Sequence, residues 1–97
     1  MAEFREIAEE IVSLHERKNA DYGNAFGRSF EKWGLVTALI RLGDKMNRLE
    51  SLYRNGTAKV DDESVRDTLV DLAAYAMMTI EELDRDETEK LFADICC

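Results

Sequence analysis

Apolar residues along the chain recur at spacings of three and four, the period of an amphipathic α-helix, in three long stretches. In the first, Phe4, Ile7, Ala8, Ile11, Val12 and His15 share one face while Glu9, Glu10, Arg17 and Lys18 take the other, which predicts a helix from about Ala2 to Asn19. Asp21-Tyr22-Gly23-Asn24 then reads as a turn, because Gly and Asn accept positive φ and Asp can bond its own backbone. In the second stretch Ser29 is placed to cap a helix beginning at Phe30. Leu35, Val36, Leu39, Ile40, Met46, Leu49, Leu52 and Tyr53 carry its period until Asn55-Gly56 supplies a stop. Two glycines interrupt this helix at about 1 kcal/mol each relative to Ala. Gly34 reads as a break after a short first piece, and Gly43 as a close approach to another backbone or a ligand. The third stretch starts with Asp61 or Asp62 as N-cap and sets Val65, Leu69, Leu72, Ala73, Ala76, Met77, Ile80 and Leu83 on one stripe. A short last helix over Glu87 to Ile95 offers Leu91, Phe92 and Ile95 as an apolar edge.

Length and composition turn this pattern into a fold class. Ninety-seven residues make a single domain, 1–97, with no room for a second core. No proline and five glycines leave little punctuation for short strands, so the expectation is all-α: a small bundle of three main helices plus a short C-terminal one. A core this small barely satisfies three long apolar stripes, and the Met- and Leu-rich stripe of the third helix suits a partner subunit as well as it suits the chain's own core; a homo-oligomer is therefore expected.

Charge narrows the function. Thirteen basic against twenty-one acidic residues give a net charge of −8, the wrong sign for a protein that coats long nucleic acid. A small phosphorylated ligand needs only a local cluster of Lys and Arg, so it stays open. Cys96 and Cys97 stand side by side, where they cannot close a loop and lack the spacing of a zinc site. No stretch has the roughly 18 apolar residues of a membrane span, and the acidic start does not resemble a signal peptide, so a cytoplasmic protein is expected.

Three constellations carry candidate chemistry. Glu63, Asp67, Asp71 and Tyr75 form a column at intervals of four on the third helix. Stacked carboxylates repel by about 0.2 to 0.5 kcal/mol per pair, so something positive should face them, either a divalent cation or basic side chains. The second helix offers Arg41, Asp44, Lys45 and Arg48 at spacings of three and four, and antiparallel pairing brings them toward Asp67 and Asp71. Interhelical salt bridges without any ligand explain the same rows. Where the first helix ends, Lys18, Asn19, Asp21, Tyr22 and Asn24 offer ammonium, amide and phenol groups suited to a base or phosphate, or simply a helix C-terminus with cations at its negative end. His15, alone of its kind, reads as a core or edge residue, while Phe30 and Trp33 read as core anchors or as aromatics that stack on a base.

Three segments taken in order, Lys18-Asn19-Ala20-Asp21-Tyr22-Gly23, Asp44-Lys45-Met46-Asn47-Arg48-Leu49 preceded by Arg41, and Asp67-Thr68-Leu69-Val70-Asp71 with Tyr75, resemble the phage-rich nucleotide modification associated domain 1 family over about residues 15 to 80. That family in turn resembles the all-α MazG-like nucleoside triphosphate pyrophosphohydrolases, in which acids on helices hold magnesium against phosphates. The resemblance implies a MazG-like nucleotide-binding bundle, with Asp44, Asp67 and Asp71, and Glu63 as a further candidate, holding Mg²⁺, or with the three aspartates orienting the basic side chains instead. It also implies Lys18, Lys45 and Arg48 on phosphate, with Asp21, Arg41 and Tyr22 or Tyr75 completing the ligand contacts. As an enzyme it would be an NTP pyrophosphohydrolase in which Asp67 and Asp71 serve catalysis and water attacks a phosphoanhydride. The chain departs from the hydrolase pattern where an E-x-x-E would stand, because Lys45 and Arg48 replace metal ligands with phosphate donors. That trend runs from hydrolysis toward binding. Two alternatives follow: a non-catalytic phage protein that sequesters a nucleotide signal of host defence, acting in the host cytoplasm, and a structural helical interaction module.

Overall fold

In a computed structural model, residues 3–55 and 62–96 are described, with the side chains of residues 22, 62–64 and 88–96 outside the description. Four α-helices follow one another: α1 (Phe4–Tyr22), α2 (Ala25–Trp33), α3 (Val36–Arg54) and α4 (Asp62–Cys96). There is no strand among the described residues, so the all-α expectation holds. None of these helices is long and apolar enough to cross a membrane.

Glycine sets the first two boundaries. Gly23 adopts φ +69° and its N–H donates to the Asn19 carbonyl at 2.8 Å. Gly34 adopts φ +72° and donates to the Phe30 carbonyl at 2.7 Å. Both positions lie in the region where a side chain is strained, which ends each helix sharply. Gly34 thus divides the expected long second helix into α2 and α3. Ser29 does not cap α2, contrary to the sequence expectation, because the helix starts a turn earlier. Asn24 is the cap, its Oδ1 accepting from the Gly27 N–H at 3.1 Å. Gly27 is buried directly under that amide, and a methyl group there would run into the Asn24 side chain. Ser29 serves α3 instead, its carbonyl accepting from Thr37 Oγ1 at 3.2 Å.

Helix α4 runs unbroken for 35 residues, so the separate final helix over 87–95 does not exist. The intervening Asp84-Arg85-Asp86-Glu87 contains no Gly or Pro, and charged residues of this kind continue a helix at little cost. The Asp61 or Asp62 cap and Glu63 lie outside the described side chains.

Helices α3 and α4 run antiparallel: Lys45 meets Asp71 and, one turn on, Arg48 meets Thr68. Polar side chains are buried along α4, Thr68, Thr79 and Glu82 at 3%, 7% and 6% exposure, while its apolar stripe is divided: Leu72 and Ala73 are half-buried, and Leu69 at 48% and Ile80 at 58% are exposed. Among the described residues the buried apolar ones are few: Ile11, Phe30, Ala38 and Val70. Phe30 is the anchor expected, but Trp33 is 70% exposed, because the break at Gly34 leaves it on the outer edge of α2. Gly43 makes no close approach within the chain, since a Cβ there would meet nothing within 4 Å.

Candidate functional site

The polar seam between α3 and α4 opens beside the end of α1. Asp71, on the second turn and a half of α4, receives a cation on each carboxylate oxygen: Lys18 Nζ lies 3.5 Å from Oδ1 and Lys45 Nζ lies 3.3 Å from Oδ2. Three helices therefore place two ammonium groups against one carboxylate. Asp71 and Lys45 are about a quarter exposed and Lys18 more than half, so the cluster is reachable from solvent. One turn along α3, Arg48 Nε donates to Thr68 Oγ1 at 3.2 Å, which orders the guanidinium along the same seam. Helix α1 is also tied to α4 about two turns before Lys18, through Glu10. Arg66 donates to both oxygens of Glu10, at 2.8 and 2.7 Å. Those hydrogen bonds hold the Glu10 carboxyl below its ordinary pKa and raise that of Arg66.

A cleft of about 160 Å³ lies next to the cluster, between Leu14, His15 and Lys18 of α1, Phe26 of α2, and Asp71 and Tyr75 of α4. Its wall is aromatic. The Phe26 ring packs on Tyr75 at 5.7 Å and on Phe30 at 6.1 Å, both tilted. Beyond that wall a smaller crevice of about 110 Å³ is lined by Phe26, Tyr75, Ser29, Thr37 and Arg41. His15 faces Asn19, Nε2 and Nδ2 being 3.3 Å apart, at the cleft's rim.

The structure thus joins Lys18, Lys45, Asp71 and Tyr75 in one place, with Arg41 across the aromatic wall and Arg48 one turn away. Asp67 stands on the far side of the Lys18–Asp71 pair, in a cleft shared with Glu10 and Arg17. Asp21 and Asp44 are exposed and line none of these three clefts. The side chain of Tyr22 lies outside the described residues. One member of the site escapes a reading by sequence pattern: Phe26 is hidden by the turn that precedes it, although its spacing of four from Phe30 is a helical signal. Lys18 is named by the sequence, but its contact with Asp71 comes only from the tertiary packing of α1 on α4.

Magnesium held by the protein alone does not fit the described donors. They contain no group of three His, Cys, Asp or Glu side chains close enough to share an ion. Moreover, each oxygen of Asp71 already faces an ammonium group, which would repel a dication. No step is therefore derived through a protein-bound metal.

Fold and site together define an all-helical protein with an aromatic-walled cleft between α1, α2 and α4, beside the Asp71 carboxylate that Lys18 and Lys45 face. The chain belongs to the nucleotide modification associated domain 1 family, which it matches over residues 18–83, about two thirds of its length and a span that contains every charged residue of the Asp71 cluster. No curated protein and no solved structure matches it.

Proposed function

We propose that the protein binds a nucleotide or nucleotide-derived small molecule in the Lys18–Asp71–Tyr75 cleft. Phosphate is held by Lys18 and Lys45, and the base or sugar lies against the Phe26–Tyr75 wall. The observation that carries this reading is the convergence of two ammonium groups on a single carboxylate, in a chain whose net charge is −8. A simple structural salt bridge needs one cation. The second leaves a local positive surplus at the mouth of a cleft, which attracts a phosphate against the background field.

In this reading Asp71 holds both lysines extended while the cleft is empty and yields their donors to phosphoryl oxygens on binding. Arg41 reaches a second anionic or polar group across the aromatic wall, and Arg48 stiffens the seam through Thr68. Mg²⁺ enters only as the counter-ion that a di- or triphosphate carries with it. The resemblance of this phage-rich family to the MazG-like pyrophosphohydrolases supports the nucleotide as ligand. Lys45 and Arg48 where the hydrolases carry acids favour retention of the ligand over its hydrolysis, and a sequestering role fits that balance. The working form is a homo-oligomer.

The test is incubation of the full chain with mono-, di- and cyclic nucleotides, with Mg²⁺ or with EDTA, followed by analysis of retained ligand and released products. Intact retained nucleotide that survives EDTA is the expected outcome, with Lys18→Ala and Lys45→Ala each weakening retention about tenfold or more, a change of about 1.4 kcal/mol. Turnover to a monophosphate and diphosphate would replace binding by pyrophosphohydrolysis. No retention and no turnover would leave the seam as helix pairing alone.

A further inference from the structure

The order of groups along the cleft bears on which base it takes. The pairs Glu10–Arg66 and Lys18–Asp71 show that α1 and α4 run in the same direction. Tyr75 and Met78, about one and two turns past Asp71, therefore stand toward Asn19 and Gly23 at the end of α1. A phosphate held by Lys18 and Lys45 leaves its nucleoside to lie in this stretch, where Phe26, Ala74, Tyr75 and Met78 form the walls. The space is about 160 Å³. An apolar cavity of about 150 Å³ takes one benzene ring, so the cleft houses a single six-membered ring, whereas a fused purine leaves part of its surface in water.

The polar edge of such a ring finds partners at the same end of the cleft. Asn19 Nδ2 lies 3.3 Å from His15 Nε2, and donating there leaves Asn19 Oδ1 to accept. Arg28, in the first turn of α2, carries its guanidinium to the lip of the cleft, Nη1 lying 3.5 Å from the point a Cβ would occupy at Gly23. Gly23, at φ +69° and without a side chain, keeps that approach open. We infer that the cleft selects pyrimidine over purine nucleotides, the ring carbonyl accepting from Arg28 and the ring N–H or amino group donating to Asn19. This rests on the nucleotide reading above and adds the base to it. Uracil, thymine and cytosine each carry a carbonyl oxygen together with an N–H or amino donor on one six-membered ring. Adenine has no carbonyl, and that of guanine stands on the larger double ring. The guanidinium fork matches a carbonyl edge, as it does when arginine reads bases elsewhere.

Calorimetry on the full chain in EDTA, with UDP, CDP, ADP and GDP and with inorganic tripolyphosphate as a probe without a base, tests the inference. Both pyrimidine nucleotides should bind about tenfold or more tighter than either purine nucleotide. Arg28→Ala should cost the pyrimidine nucleotides about tenfold and leave tripolyphosphate unchanged. Met78→Ala, which enlarges the cleft, should narrow the gap between the two classes to about threefold or less with helix content retained. Equal affinity for the four nucleotides, or a preference for purines, would overturn the inference and leave the nucleotide reading standing. An Arg28→Ala loss shared by tripolyphosphate would also overturn it, by making Arg28 a phosphate contact, and so would an Arg28→Ala variant indifferent to every probe. A chain that binds neither tripolyphosphate nor any nucleotide would overturn both readings together.

Discussion

At the scale of single residues, the loop between α1 and α2 is a small machine for aiming side chains. Gly23 turns the chain, Asn24 caps α2, and Gly27 leaves room for the cap, so that Phe26 is delivered to Tyr75. Gly27→Ala should destabilise the fold by about 1 to 2 kcal/mol and Asn24→Ala by about 1 kcal/mol, read as shifts of the urea midpoint at constant slope. An effect confined to Asn24→Ala would mean that Gly27 has space to spare. Asp71 provides the sharper contrast. Asp71→Asn removes the charge to which Lys18 and Lys45 are drawn, at a stability cost below about 1 kcal/mol per partly exposed pair. If those lysines bind phosphate, calorimetry should find tripolyphosphate or nucleotide bound at least as tightly by the variant as by the parent, in EDTA as in Mg²⁺. Lost affinity would make Asp71 a direct ligand of metal or substrate.

At the scale of elements, the sequence period identifies the helices well because it depends only on spacing. The ends were legible where a residue forces them: Gly23 and Gly34 stop α1 and α2 by their positive φ. They were not legible where nothing does, as between Leu83 and Glu87, whose charges resemble a loop yet sit comfortably in a helix. Periodicity also names a face without saying what covers it. The stripe through Leu69 and Ile80 is as regular as any core stripe, but α3 takes the opposite side, where Thr68 and Asp71 meet Arg48 and Lys45. Of the candidate site, the Lys45–Asp71 contact follows from antiparallel pairing of adjacent helices. Lys18 and Phe26 require knowledge of how α1 and α2 fold back.

The α1–α4 contact has a pH signature. Hydrogen bonds from Arg66 lower the Glu10 pKa in the folded chain, so the stability they add is present above the ordinary carboxylate range, about pH 4, and is lost as pH falls through the lowered value. Glu10→Gln should flatten the acid limb of a stability profile between about pH 2 and pH 5, and a profile parallel to the parent's would show that the pair is not coupled to folding.

At the scale of the molecule, the radius of gyration is 16.2 Å, against about 13 Å for a compact chain of this length, and the long dimension is 58 Å. Helix α4 accounts for the excess, since 35 residues at 1.5 Å each make roughly 52 Å, more than α1, α2 and α3 cover. The central proposal is that the Asp71 cluster and the cleft beside it bind a nucleotide. An amide-detected NMR titration of the full chain with a panel of nucleotides, in EDTA and then in Mg²⁺, tests it most directly. The expected result is a saturable set of shifts centred on Lys18, Phe26, Lys45, Asp71 and Tyr75 for at least one nucleotide, already present in EDTA. Shifts that centre elsewhere, or none up to millimolar ligand, would contradict it.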